Sequence, residues 1–358
     1  MKDCTSEYIK IPCRHCPECY ANMQMQLVQR VQMECLDAHA FFCTLTYNNQ
    51  SMPTIYLPRS DQTEKPYAIQ YADYEDVTKM IKRLRAQNYF GRPFRYLTVT
   101  EMGTKRGRPH VHILFFVKKE QGDTWNTCLQ LERTMFKWVL HEWRRNYGSK
   151  RWPDYEPLCT YVRKWTRKGL STNYDLHWCN PALTDSGVAD VGFYVTKYMT
   201  KPSDRAVRLQ RALHLNLDEA DYERIWAKVK PRFRASLGFG LNPVIDQKTS
   251  KILSISPTIK AYLRKCIEQT LKNEEEWPKF INPIDGKYFP LSRFYMRYAE
   301  VINAQDMTGY WFNRKDDNFD NLVIDERDRG QIMEKEQKFY RAIRPKIESN
   351  SFNFDDLY

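Results

Sequence analysis

Two histidines one residue apart, His110 and His112, stand at the head of an apolar run, Ile113-Leu114-Phe115-Phe116. In an extended strand alternate side chains share a face, so both imidazoles leave one side of a sheet while Val111 and Ile113 enter the other. Such a pair makes a clamp for a divalent ion. Glu101 follows the candidate strand Phe94–Thr100, and a basic turn with Gly103, Gly107 and Pro109 separates it from the histidines. Strand pairing would return them to its side. Two neutral imidazoles and a carboxylate leave coordination positions open for substrate oxygen. They suit Mg²⁺ or Mn²⁺ acting on a phosphate, and equally Zn²⁺ or Fe²⁺, so residue types leave the metal open. Two hydrogen-bonded structural histidines are the alternative.

A second pattern is Tyr194-Val195-Thr196-Lys197-Tyr198-Met199-Thr200-Lys201. On a helix the phenols of Tyr194 and Tyr198 share a face, with Lys197 and Lys201 beside it. Spacing alone selects nothing, since Tyr67 and Tyr71 repeat it. The chemistry is more selective. A nearby cation favours the phenolate, and a metal polarises the phosphate it attacks. Attack would give a phosphotyrosyl adduct and a free 3′ hydroxyl, and a second tyrosine on the same face could cleave again while the first holds an end.

Cys4, Cys13, Cys16 and Cys19 offer four sulfurs near the start, with His15 and Cys35 as substitutes. Structural Zn²⁺ is one reading and reduced structural thiols another. The run Arg163-Lys164-Trp165-Thr166-Arg167-Lys168 pairs phosphate-neutralising cations with an indole that can stack on a base. A solvated helix face with Trp165 packed inward is its alternative.

The elements that must hold these residues come next. A helix is expected over residues 20–38, where Met23, Leu27, Val31 and Cys35 recur every four residues, and a central strand over Phe41–Tyr47. Asp76 is a candidate cap for a helix over Val77–Gln87; Phe94–Thr100 and Val111–Val117 are strands of a mainly antiparallel sheet. Residues 127–145 carry a helical pattern, and Asp190 is placed to cap a helix over Val191–Thr200. Further helices are expected at 217–229, from Ser256-Pro257 to Glu268, and near 291–303 and 328–342. Residues 50–73 read as a polar stretch, and the segment before Asp190 as a polar connection.

The chain has 358 residues and a formal charge of +12. Surpluses of +5 and +7 fall on residues 1–120 and 121–240, with none on 241–358. That field would gather a polyanion, nucleic acid before an anionic membrane. With 28% charged and 42% hydrophobic residues, a disordered or collagen-like chain is excluded. No run of 18 apolar residues and no signal-like start is present, so a soluble, cytoplasmic protein is expected.

Four ordered segments resemble the replication initiators of small single-stranded DNA bacteriophages, particularly the gokushovirus branch of the microviruses. They are Pro12 to Cys19 with the following helix to Glu34, Thr44-Leu45-Thr46-Tyr47, Glu101-Met102-Gly103 through Arg108-Pro109-His110-Val111-His112, and Tyr194 through Lys201; Arg234 to Gly240 is similar to a later family segment. Met102 and Arg14-His15 depart from the family pattern without removing a catalytic group. The resemblance implies an HUH nuclease core, an α+β fold with a central antiparallel sheet flanked by helices over residues 39–240. A Cys-rich segment over 1–38 precedes it, and a helix-rich region of uncertain role over 241–358 follows. It assigns His110, His112 and Glu101 to a divalent ion, Mg²⁺ or Mn²⁺, places Thr44–Thr46 on a neighbouring strand, and makes Tyr194 and Tyr198 nucleophiles with Lys197 and Lys201 nearby. The implied activity is rolling-circle initiation: nicking of single-stranded origin DNA and rejoining by strand transfer in the host bacterial cytoplasm. Without a phosphate-binding loop for nucleotide hydrolysis, host helicase and polymerase are expected partners. The competing readings are a non-catalytic nucleic-acid-binding protein and a metal-dependent phosphodiesterase that uses water.

Overall fold

The computed structural model describes residues 17–57, 67–103, 107–148, 153–166, 169–179, 204–245, 248, 252–272, 279–281 and 288–296. Two compact units divide them, one over Glu34–Phe239 and one that joins residues before Glu34 to residues after Phe239.

Helix α1 (Pro17–Asp37) delivers the chain into strand β1 (Ala38–Thr46). Strands β2 (Thr54–Leu57) and β3 (Tyr67–Gln70) pair antiparallel, where the sequence reads only as a polar stretch. Then come α2 (Tyr74–Gln87), β4 (Phe94–Met102), β5 (Pro109–Lys118) and α3 (Trp125–Glu142). Two hairpins follow, β6 (Arg144–Gly148) with β7 (Pro153–Pro157) and β8 (Arg163–Thr166) with β9 (Gly169–Thr172), and then β10 (Tyr174–Trp178). Helices α4 (Asp204–Asn216) and α5 (Glu219–Val229) lead to β11 (Phe233–Ala235). Among the described residues the central sheet has the order β10-β1-β5-β4-β11, with every pair antiparallel. The fold is therefore the expected α+β arrangement.

Directly paired residues of antiparallel strands point to one face. Phe41, Cys43 and Leu45 of β1 share theirs with Val111, Ile113, Phe115 and Val117 of β5 and with Tyr174 and Leu176 of β10. Helix α2 packs against this face through Val77, Met80, Ile81 and Leu84, and α3 through Leu131, Met135 and Val139, both at helical spacing. Burying each such side chain stabilises the fold by about 1.5–3 kcal/mol. The helices cover this face and leave the opposite one to the histidines.

The polar groups of this core are paired. Asp73, not Asp76, caps α2 by accepting from Glu75 N at 2.9 Å. Asp76 lies one turn in and is buried, taking 3.0 and 2.6 Å bonds from the Arg145 guanidinium and one from the Tyr47 hydroxyl. A buried carboxylate needs such a partner more than a helix end needs a second cap. Helix α3 starts at the capping box of Thr124 and Thr127 and stops at Glu142, short of the expected residue 145, where β6 begins.

At the far end of the sheet Arg92 grips Asp123 with two bonds of 2.7 and 2.8 Å, and His39 Nε2 lies 2.9 Å from the same carboxylate. The Arg92 bonds hold the Asp123 carboxyl well below the ordinary carboxylate range. A carboxyl depressed in the folded state contributes stability above its unfolded value, near ~3.9, and loses it as pH falls through the folded one. Arg92→Met should therefore lower the urea midpoint at pH 7 and narrow the difference between pH 7 and pH 3; an unchanged difference would refute the pairing.

The other unit contains residues 17–33 of α1, β12 (Val244–Ile245) paired with β13 (Ile252–Ser254), α6 (Pro257–Lys272), β14 (Lys279–Ile281) paired with β15 (Tyr288–Pro290), and α7 (Arg293–Met296). Gln29 ties it together, donating to Pro290 O at 2.7 Å and accepting from Ser292 N at 3.0 Å. Gly240 sits at φ +87°, where a Cβ would lie 2.8 Å from the Arg30 side chain and the Tyr295 hydroxyl, so only glycine fits. The expected helix near 328–342 and most of the one near 291–303 lie outside the described residues.

Candidate metal centre

Strand pairing alone brings the three candidate ligands together. In the β4–β5 ladder Glu101 stands opposite His110 and Val99 opposite His112; across β1, Thr46 opposes His110 and Thr44 opposes His112. Glu101 thus lies inside strand β4 and not beyond its end. Its side chain, both imidazoles and the two threonines share the sheet face that α2 and α3 leave uncovered. The turn closes through Gly103 N to Arg108 O at 3.0 Å, and a Cβ on Gly103 would lie 3.4 Å from the His110 ring.

Glu101 Oε1 is hydrogen-bonded to His110 Nε2 and lies 3.3 Å from His112 Nε2. One ligand atom from each of the three residues lies within 4.8 Å of the others. The outer nitrogens are also held. His110 Nδ1 donates to Arg108 O at 3.1 Å, and His112 Nδ1 lies 3.1 Å from Thr44 Oγ1. Both rings therefore present Nε2 inward and Nδ1 to a second-layer oxygen, the tautomer pattern of metal-ligating histidines. Phe42 stacks on His112 at 5.5 Å and 18°.

Burial opposes charge on Glu101, but the hydrogen bonds from His110 and His112 outweigh it and bring its carboxyl down to about 2. Burial also disfavours the His110 cation, and the bond to Glu101 overcomes this and raises its pKa. His112, only 3% exposed, is lowered by burial. The centre thus offers a carboxylate, a neutral imidazole and an imidazole that gives up one proton to become a ligand. Donor set, convergence and second layer all fit a divalent cation with open positions.

Thr44 has a measurable share in this. Thr44→Val keeps the shape and removes the oxygen that orients His112, so Mn²⁺ affinity measured calorimetrically should fall about 10- to 100-fold. Unaltered affinity would leave Thr44 no part in the centre.

Residues 40–203 of the chain match the family model of the replication-associated protein ORF2. Replication-associated protein ORF2 of Spiroplasma virus 4 is 35% identical over 327 residues, covering 86% of this chain and 83% of that protein. The chain belongs to this replication-associated protein family. Replication-associated protein ORF4 of Chlamydia phage 1 is 28% identical over 116 residues, 32% of this chain and 25% of that protein. No solved structure matches significantly. The viral relatives agree with the resemblance of the four ordered segments.

The span shared with the replication-associated family contains Glu101, His110 and His112, and also Tyr194, Lys197, Tyr198 and Lys201. The latter four, with the expected helix Val191–Thr200, lie outside the described residues. So do Cys4, Cys13 and Cys16, whereas Cys19 falls within α1 with its side chain undescribed. Arg163 and Lys164 are exposed on β8, so the alternative of a solvated helix face for this run is replaced by a strand; the Trp165 side chain, Arg167 and Lys168 are outside the described residues.

Sequence reasoning passed over three contributors. Arg108 binds Asn49 Oδ1 at 2.7 Å and the Tyr47 carbonyl, clamping the β4–β5 turn to the end of β1. Asn173 O accepts from Thr46 Oγ1 at 2.6 Å and fixes the start of β10 beside the centre. On β10, Asp175 and His177 extend the ligand face, His177 Nδ1 lying 3.2 Å from Asp175 Oδ2. The signal for β10 was present as the alternation of Tyr174, Leu176 and Trp178 with Asp175 and His177.

Proposed function

We propose that this replication-associated protein initiates rolling-circle replication by cutting single-stranded phage origin DNA at a metal-assisted HUH-type centre and rejoining it by strand transfer. The observation that carries this reading is the convergence of Glu101, His110 and His112 on one open sheet face in a chain of this family. These three side chains would hold Mg²⁺ or Mn²⁺. The bound cation would draw charge from a phosphate oxygen and ease attack at phosphorus.

The protein's own groups supply the rest. A tyrosine, Tyr194 or Tyr198, loses its phenolic proton with Lys197 and Lys201 favouring the anion, and its oxygen bonds to phosphorus. The bond from phosphorus to the 3′ oxygen breaks, and that oxygen takes up a proton as the 3′ hydroxyl. The 5′ phosphate stays on the tyrosine as a phosphodiester, so its energy is conserved. A later 3′ hydroxyl attacks the adduct, restores the DNA bond and frees the phenol. Arg163, Lys164, Trp165, Arg167 and Lys168 form a DNA-contacting strip beside the centre, Lys and Arg on phosphate and the indole on a base.

Residues 39–240 form the nuclease and strand-transferase domain in this reading. The segment 1–38 carries Cys4, Cys13, Cys16 and Cys19 as a structural Zn²⁺ site, and 241–358 is a helix-rich region. Host helicase and polymerase extend the 3′ end in the host cytoplasm. No helix among the described residues is long and apolar enough to cross a membrane.

Incubation with single-stranded origin DNA and Mn²⁺ separates the readings. A covalent protein–DNA product is expected. Free cleavage products without an adduct would favour attack by water, and binding without cleavage would favour a non-catalytic protein.

A further inference from the structure

The hairpin β6–β7 is a second basic and aromatic surface, which the proposed reaction leaves unused. In sequence, residues 144–157 hold Arg144, Arg145, Lys150 and Arg151 against Asp154 and Glu156, interleaved with Tyr147, Trp152 and Tyr155. Tyr147 is 50% and Tyr155 53% exposed, so neither ring serves a core. Arg144 Cζ lies 4.7 Å from the centroid of the Tyr155 ring. The arginine is itself fixed, its guanidinium 3.3 Å from Glu142 Oε1 and its carbonyl accepting from Arg83 at 2.8 Å. A ring backed by an anchored guanidinium is a ready stacking surface, because little freedom is lost when a second flat group settles on it.

The two faces of the hairpin differ in charge. Cross-strand pairing puts Tyr155 with Asn146, and Arg144 with Pro157, on one face; Tyr147 with Asp154, and Arg145 with Glu156, on the other. The Tyr147 hydroxyl donates to Glu156 at 2.9 Å. Of the described residues, the Tyr155 face carries a cation and no carboxylate, whereas the Tyr147 face carries two acids. A polyanion is therefore directed to Tyr155. The hairpin base is also tied to the metal centre. Trp143 Nε1 donates to Thr46 O at 2.8 Å, Leu158 N to Trp143 O at 2.9 Å and Asn48 N to Leu158 O at 2.7 Å, and Thr46 is the residue opposite His110.

We propose that β6–β7 is a single-strand stacking arm, in which Tyr155 backed by Arg144 receives an unpaired base of the DNA strand bound at the metal centre. This rests on the DNA reading of that centre and deepens it. Every base has a flat face, so the arm holds a strand with little regard to sequence; bases inside a duplex already spend their faces on each other, so the arm selects single strands.

Fluorescence anisotropy with the full chain tests it, using a labelled thymidine oligonucleotide of about twenty nucleotides and a duplex of equal length. Tyr155→Ala should weaken single-strand binding about tenfold or more and duplex binding hardly at all, with Tyr155→Trp restoring it. Tyr147→Ala should stay within about twofold of the parent. The salt dependence of binding should not change in Tyr155→Ala, because no phosphate contact is removed. Parent-like binding by Tyr155→Ala, equal losses in both alanine variants, or an equal loss on duplex would each overturn the arm while leaving the metal centre's role standing. A parent chain that binds neither oligonucleotide would overturn the DNA reading and the arm together.

Discussion

Replacing both histidines, His110→Ala with His112→Ala, is expected to abolish cation-dependent cleavage of single-stranded DNA, by about a thousandfold or more, since a bound cation supplies several kcal/mol of charge stabilisation. The reason is geometric. Glu101 alone cannot hold Mg²⁺ or Mn²⁺ at working concentrations, and among the described residues no other side chain on this face replaces two Nε2 atoms that strand register aims at one point. Calorimetry should show Mn²⁺ binding lost in the double variant while single-strand affinity changes little, because the phosphate-contacting groups are elsewhere. The far-ultraviolet spectrum should survive, since the packed core lies on the other face. The parent should also bind Mn²⁺ more weakly as pH falls below about 6.5, where His110 keeps the proton that the cation must displace. Cleavage within about tenfold of the parent in the double variant would remove the triad from the chemistry.

The second large effect concerns the phenols. Tyr194→Phe with Tyr198→Phe should leave no covalent protein–DNA product on a denaturing gel, since phenylalanine keeps the ring and lacks the attacking oxygen. Each single variant should still form an adduct through the remaining tyrosine but fail in one of the two transfers. The same adduct persisting in the double variant would sink the assignment, and free cleavage products without an adduct would turn attention to water. Sequencing the peptide attached to the DNA identifies the oxygen used in each round.

The sheet and its ligands were legible because their signals are local. His110 and His112 differ by the period of a strand, and the apolar residues after them declare the strand itself. Glu101 was legible as a partner because a glycine-bearing turn lies between it and the histidines. The cap of α2 was misread since Asp73 and Asp76 are equally good caps in isolation; only the approach of Arg145 from a strand 69 residues away decides that Asp76 is a buried ion-pair member. The hairpins after α3 were hidden for a related reason. Short strands rich in Arg, Tyr and Pro have little alternation of their own, and their register comes from anchors such as Asn48 to Leu158 and Thr46 to Asn173, which link distant parts of the chain. Strand β10 shows the opposite case, a real alternation masked by its polar members, Asp175 and His177.

The placement of Glu101 opposite His110 also restricts how the length of this region can drift. Loss or gain of one residue inside β4 or β5 would swing the ligands beyond it through to the helix-covered side, and a change of two would restore the side but slide the carboxylate about 7 Å from its imidazoles. Only the bend between Met102 and Pro109, outside the ladder, can absorb insertions. Any variation in the spacing of the carboxylate and the first histidine must therefore be confined to that bend.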